Sequence, residues 1–128
     1  MNIFDRFTDS AKQLMAIAAR TATDFGHGYI GSEHMLLAMC TTSDNIRQVL
    51  ERKGVTAQAV AQKIQQMVGV SSHSPIGALE YTPRTKKILE GSFEQASIMG
   101  QEYVAPEHIL LSILEEGESV AVAILSEL

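Results

Sequence analysis

The chain has 128 residues, one cysteine and a formal net charge of −5, which exclude a disulfide framework and argue against a general nucleic-acid binder. Its longest apolar stretches fall far short of the roughly 20 residues a bilayer span needs, and the opening MNIFDRFTDS has no apolar run to serve as a secretory signal. A chain of this size can bury roughly 65–70% of its unfolded surface without staples, so a soluble cytoplasmic protein is expected, built as one domain or as two small halves sharing a core.

Alternating β-branched or aromatic runs are missing, and the periodicity is helical throughout. In 9–25, Ala11, Leu14, Met15, Ala18, Ala22 and Phe25 recur at spacings of three and four, the stripe of an amphipathic helix. Thr8 stands before it as N-cap and Gly26 after it as stop. Further helices are predicted over 32–41, over 44–53 with Ser43 as cap and Gly54 as stop, and over 57–68 between Thr56 and Gly69. Residues 69–80, GVSSHSPIGALE, carry the turn chemistry of a linker. Helices follow over 83–99, 106–115 and 118–127, the first two opening on Pro83 and Pro106, where a missing N–H costs nothing. Cys40, within LLAMCTT, reads as a reduced, buried thiol.

The pattern repeats. At an offset of 74, Phe7 falls on Tyr81, Thr8 on Thr82, Lys12 on Lys86, Gly26 on Gly100 and Tyr29 on Tyr103. The stretch GSEHMLL, 31–37, falls on APEHILL, 105–111, without a gap. Such matching implies an internal duplication, with a first repeat of about 4–68, the linker, and a second repeat of about 81–128. The expected fold is therefore all-α, a pseudo-two-fold bundle of two tandem four-helix repeats. The equivalent of the fourth helix would begin near residue 131, so a fragment cut from a longer chain is expected. Ile124, Leu125 and Leu128 are the apolar positions that the missing helix would leave exposed.

The doubled Glu-His motif admits two readings. In the plain one, Glu33 and Glu107 sit in the positive first turn of a helix. Leu36, Leu37 and Met39, or Leu110, Leu111 and Ile113, then form a core face, and His34 and His108 satisfy buried backbone groups. In the sharper one, the unpaired N–H groups of a helix N-terminus hold a phosphate. The neighbouring carboxylate takes a guanidinium through paired hydrogen bonds. Phosphoarginine carries both groups, and two copies would add bivalence. The hydroxyls of Thr8 and Thr82 would add phosphate contacts, in competition with plain N-capping.

Catalytic and metal chemistry find no footing. HExxH is absent, His27, His34, His73 and His108 lack ligand spacing, and GHGYIGSE lacks the Gly-Lys-Ser/Thr ending of a phosphate loop. The six methionines fall mostly on apolar helical faces, as core fillers do.

FDRFTDSAKQLMAIA, GHGYIGSEHMLLAM, YTPRTKKILEGSFEQA and GQEYVAPEHILLSILEEGESVA resemble the N-terminal domain of the Clp/Hsp100 unfoldases, closest to the ClpC type, from about residue 4 to residue 128. The resemblance implies a non-catalytic recognition module that docks adaptor proteins and substrates. It needs no cofactor of its own; ATP and magnesium belong to the AAA+ modules of the parent chain, which feeds a ClpP-type peptidase. No nucleic acid or membrane is implied as partner. It further implies phosphoarginine sites at Glu33 with Thr8 and at Glu107 with Thr82. Where the family usually has Thr before each Glu-His, this chain has Ser32 and Pro106, and TTSDNIRQVL at 41–50 replaces an acidic, glycine-containing turn. The alternative is a freestanding, ClpA-like or ClpB-like interaction module that docks adaptors without reading phosphoarginine.

Overall fold

The computed structural model describes residues 3–42, 45–70 and 79–128. A 3-10 turn, Ile3–Arg6, leads into α1 (Asp9–Asp24), β1 (Tyr29–Ile30), α2 (Ser32–Met39), α3 (Asn45–Arg52) and α4 (Ala57–Met67). Then come β2 (Glu80–Tyr81), α5 (Pro83–Ile98), α6 (Pro106–Glu116) and α7 (Val120–Glu127). The helical prediction holds element by element, with no end moved by more than two residues. Ser43 and His73 lie outside the described residues, as do 71–78 of the expected linker.

The ends follow their residues. Thr8 is extended and accepts the Ala11 N–H on its hydroxyl at 3.1 Å, so α1 starts there. Thr82 does the same for Thr85 at 3.0 Å. Gly26 at φ 74° and Gly100 at φ 71° close α1 and α5 in a left-handed turn that a Cβ would strain. All eight residues of α2 are buried: Met35 to Met39 are apolar throughout and belong inside, while Ser32, Glu33 and His34 carry buried polar groups into its first turn. α1 lies along α2, and α4, α6 and α7 complete its enclosure.

Two minimal strands were not legible in the sequence. β1 and β2 pair in parallel, Ile30 opposite Tyr81, and an isolated parallel bridge joins Phe7 to Val104. At the 74-residue offset these are the same contact made twice, each time between different halves. Thr82 N–H donates to Ile30 O at 3.3 Å, and Thr8 N–H to Val104 O at 2.8 Å. Each first helix is thereby tied to the segment that opens the other half's motif helix.

Ser32 makes a second cross-tie. Its buried hydroxyl accepts the Ala121 N–H in the first turn of α7 at 3.0 Å, while Ser119 accepts that of Val122 at 3.3 Å. Two of the orphan donors of α7 are thus satisfied by side chains. Ser32→Ala leaves a buried donor unpaired, and urea unfolding is expected to show a loss of about 1–2 kcal/mol.

The expected core face holds in part. Leu36, Leu37, Met39 and Ile113 are buried, Leu110 is half-buried, and Leu111 is 38% exposed. α4 packs on α2, and among the described residues α6 has no counterpart of it, which leaves Leu111 uncovered. Of the three apolar positions on and after α7, Ile124 is buried in the core, Leu125 is half-buried and Leu128 is exposed. Ile124 finds its cover in α7's packing against α2, α4 and α6.

Candidate functional site

The two histidines of the doubled motif do what the plain reading expects. His34 Nδ1 accepts the Gly31 N–H at 2.8 Å, and His108 Nδ1 accepts the Ala105 N–H at 2.8 Å. Each reaches back from the third residue of its helix to the cap, as a capping-box side chain does.

Beyond that the halves differ. His34 Nε2 lies 2.7 Å from His27 Nδ1, and His27 Nε2 lies 2.8 Å from Gly69 O. A carbonyl only accepts, so one neutral tautomer set satisfies the chain: Gly31 N–H donates to His34, His34 to His27, and His27 to Gly69. Burial, and then the charge of His27, push the pKa of His34 down to about 4. With every ring lone pair engaged, the pair has none left for a metal. In the second half Gln101, exposed, stands in the place of His27, and His108 Nε2 is buried without a hydrogen-bond partner.

His27 also sits in an aromatic stack. Phe25, His27 and Tyr29 alternate along the turn that leads from α1 into β1, with ring centroids 5.6 Å apart for the first pair and 5.3 Å, within 2° of parallel, for the second. The stack aims Tyr29 at Glu33, whose Oε2 accepts from the phenol at 3.2 Å. Burial, the Glu33 charge and that hydrogen bond, in this order, push the tyrosine pKa up to about 12. Tyr29 therefore remains a donor at neutral pH.

Glu33 is 2% exposed, and among the described residues no cation is paired with it. It lines a cleft of about 400 Å³ together with Tyr29, Gly31, Thr82, Arg84 and Glu118. Thr82, not Thr8, therefore shares a cleft with Glu33. The β1–β2 ladder thus sets Glu33 beside Thr82 of the other half, in place of the Thr8 that the resemblance implies. Arg84, in the first turn of α5, binds Glu118 O and sits 3.3 Å from Glu116. It places a cation across the cleft from the carboxylate. Glu107, in contrast, is exposed, and the backbone bond from Thr8 to Val104 O brings Thr8 to the segment that leads into it. Ser10 occupies the place of Arg84 at the offset of 74.

Both threonine hydroxyls act as caps, so the capping reading is realised in each half. Capping uses a lone pair and leaves the hydroxyl proton, which at Thr82 engages Thr85 Oγ1 at 2.8 Å. Cys40 is buried, and burial first, then the charge of Glu51 against the opposing one of Arg47, push its thiol up to about 11, away from the thiolate form that reacts. No group of His, Cys, Asp and Glu suited to a metal occurs among the described residues. Within the same residues, no helix is long and apolar enough to cross a membrane.

Sequence reasoning passed over Tyr29, Gly31, Arg84 and His27. The alternation Phe25, His27, Tyr29 was a visible signal for the stack. The place of Arg84 depends on the exchange between halves.

Residues 6–128 match the family model described as the Clp repeat (R) N-terminal domain. The chain is 35% identical over 127 residues to the chaperone protein ClpB of Oceanobacillus iheyensis and, to the same degree, to the negative regulator of genetic competence ClpC/MecB of Bacillus subtilis. In both cases the match takes in 98% of this chain, which spans only 16% of the relative's length. The N-terminal domain of ClpD from Arabidopsis thaliana superposes with a TM-score of 0.79 at 21% identity, covering 97% of this chain and 87% of that one. A ClpV N-domain solved in complex with a VipB peptide gives 0.76 at 19% identity, covering 98% and 79%. The duplicated helices and the match over nearly the whole length place the chain in the Clp repeat N-terminal domain family.

Proposed function

We propose that this chain is a non-catalytic recognition domain that captures protein segments carrying phosphoarginine and delivers them to a ClpC-like unfoldase. Its seats are composite, Glu33 with Thr82 and Arg84, and Glu107 with Thr8. The observation that carries this reading is Glu33: a buried carboxylate without a cation, facing a cleft whose opposite wall is a helix N-terminus with a threonine hydroxyl and an arginine. A guanidinium fits the first wall and a phosphate the second, because paired N–H···O bonds need a carboxylate and an anion favours helix N–H groups. Adaptor proteins, a ClpP-type peptidase reached through a parent chain, and a cytoplasmic setting complete the proposal. ATP and magnesium would serve that parent chain, with no cofactor in this domain.

The second reading is an adaptor- or peptide-docking module that ignores phosphoarginine. The ClpB relative matches as well as the ClpC one, and a fold neighbour is solved with a peptide. Calorimetric titration of phosphoarginine into the parent and into the Glu33→Ala/Glu107→Ala double variant separates the two. Two binding events in the parent and none in the folded double variant are expected. A folded parent that takes up no phosphoarginine, by calorimetry and by a second binding method, would leave adaptor docking as the function.

A further inference from the structure

The duplicated glutamates differ in a way that their motif hides. Glu33 folds back over Gly31 so closely that a Cβ built on Gly31 would lie 2.2 Å from its Oε1 and 2.9 Å from its Cδ. The fold-back brings the carboxylate under the Tyr29 hydroxyl. At the offset of 74 the corresponding residue is Ala105. Its Cβ occupies the space that a folded-back glutamate would need. Glu107 is accordingly exposed, and Tyr103, the counterpart of Tyr29, is half out in solvent.

We propose that Gly31 and Tyr29 form a latch that holds the Glu33 seat closed, so that a guanidinium enters only by displacing the tyrosine hydroxyl, whereas Ala105 keeps the Glu107 seat permanently open. This rests on the reading of both glutamates as guanidinium seats. The two sites then differ in kind: one is ready, the other carries the cost of opening in its apparent affinity. The stack of Tyr29 on His27 sets the phenol's aim and makes the closed form a defined state. Once the first arm of a doubly modified segment is held at Glu107, the local concentration of the second arm favours opening at Glu33.

The backbone of Gly31, at φ −107° and ψ 176°, suits alanine as well as glycine. Gly31→Ala therefore tests the latch by evicting a flexible carboxylate; its Cβ would also lie 3.2 Å from Tyr29 Cε2, so the ring gives way by a few tenths of an ångström. Tyr29→Phe tests it by removing the donor. The first readout needs no ligand: the alkaline titration of Tyr29, followed by NMR of 13Cζ-labelled tyrosine. In Gly31→Ala it is expected to fall from about 12 toward the ordinary value of 10.0. An unchanged titration in a folded variant would overturn the latch, whatever the ligand does. The second readout is phosphoarginine titrated into the Glu107→Ala background, which leaves only the Glu33 seat. Either substitution is expected to tighten binding there by about fivefold, the worth of one modest hydrogen bond. Unchanged or weaker binding in both would overturn the closed-seat proposal. A titration shift at Tyr29 without any phosphoarginine uptake, even in the parent, would uphold the latch and reject the phosphoarginine reading.

Discussion

Acidification from pH 6.5 to about 4 is expected to remove roughly 3 kcal/mol of stability through one side chain, His34. Its folded pKa of about 4 lies below the unfolded value of 6.5. Between these values the unfolded chain binds the proton and the folded one does not, so stability falls as pH falls through that window and is fully present above it. The structural cause is the directed chain of hydrogen bonds. His34 Nδ1 is already taken by the Gly31 N–H, and His27 Nδ1 by His34. A proton added at either place sets two N–H groups head to head. The chain ties the start of α2, the segment after α1 and the carbonyl of Gly69 beyond α4, so its rupture loosens three elements. Urea unfolding at several pH values checks this, and the slope between pH 6.5 and 5, above most carboxylate titration, isolates the histidine. His34→Gln keeps a side chain able to reach back to the cap and titrates no proton; its stability should be nearly flat there. The same slope in parent and variant would refute the assignment. Because His27 also backs Tyr29, loss of the chain should free the Glu33 carboxylate at low pH.

Helices and caps were legible because they are local: a 3.6-residue stripe, Thr8 or Thr82 before it and Gly26 or Gly100 after it suffice. The duplication was legible because the offset of 74 needs no gap. What the duplication conceals is which copy touches which. Thr8 and Thr82 are equivalent in sequence, so a site built within one half and a site built between halves leave the same pattern of residues. Only the Ile30–Tyr81 and Phe7–Val104 contacts show that each threonine stands beside the other half's motif helix, and two-residue strands without alternation give no period to detect. The role of Gly31 was concealed for another reason. A glycine before a helix reads as a cap, and only the position of the Glu33 side chain shows that its missing Cβ is used. His27 escaped because a histidine lacking ligand spacing reveals nothing until its partner is in place.

The helix pair α5–α6 offers a test of packing in which the sign of one substitution should reverse. Gly91 lies in the interior of α5, where glycine costs about 1 kcal/mol relative to alanine. A Cβ there would lie 2.6 Å from Ser112 Oγ, and that buried hydroxyl donates to Ile88 O at 2.6 Å. Gly91→Ala must therefore turn the serine out of its bond or push the helices apart. A net loss of about 1–2 kcal/mol is expected despite the better helix former. With Ser112→Ala the obstacle disappears, since the Ser112 Cβ is 3.8 Å away, an ordinary contact. On that background Gly91→Ala should stabilise by about 1 kcal/mol. The first half already realises this solution. At the offset of 74, Gly91 corresponds to Ile17 and Ser112 to Ala38, so the larger side chain sits on the outer helix and the smaller one on the inner. A double-mutant cycle read by urea unfolding should thus give a coupling of about 2–3 kcal/mol. Additive effects of the two substitutions would mean that α5 and α6 are not held together through this pair. A coupling of the expected size would show that the two halves, alike in motif, pack this helix pair by different chemistry: Ile17 and Ala38 in one, a glycine notch filled by a hydroxyl in the other.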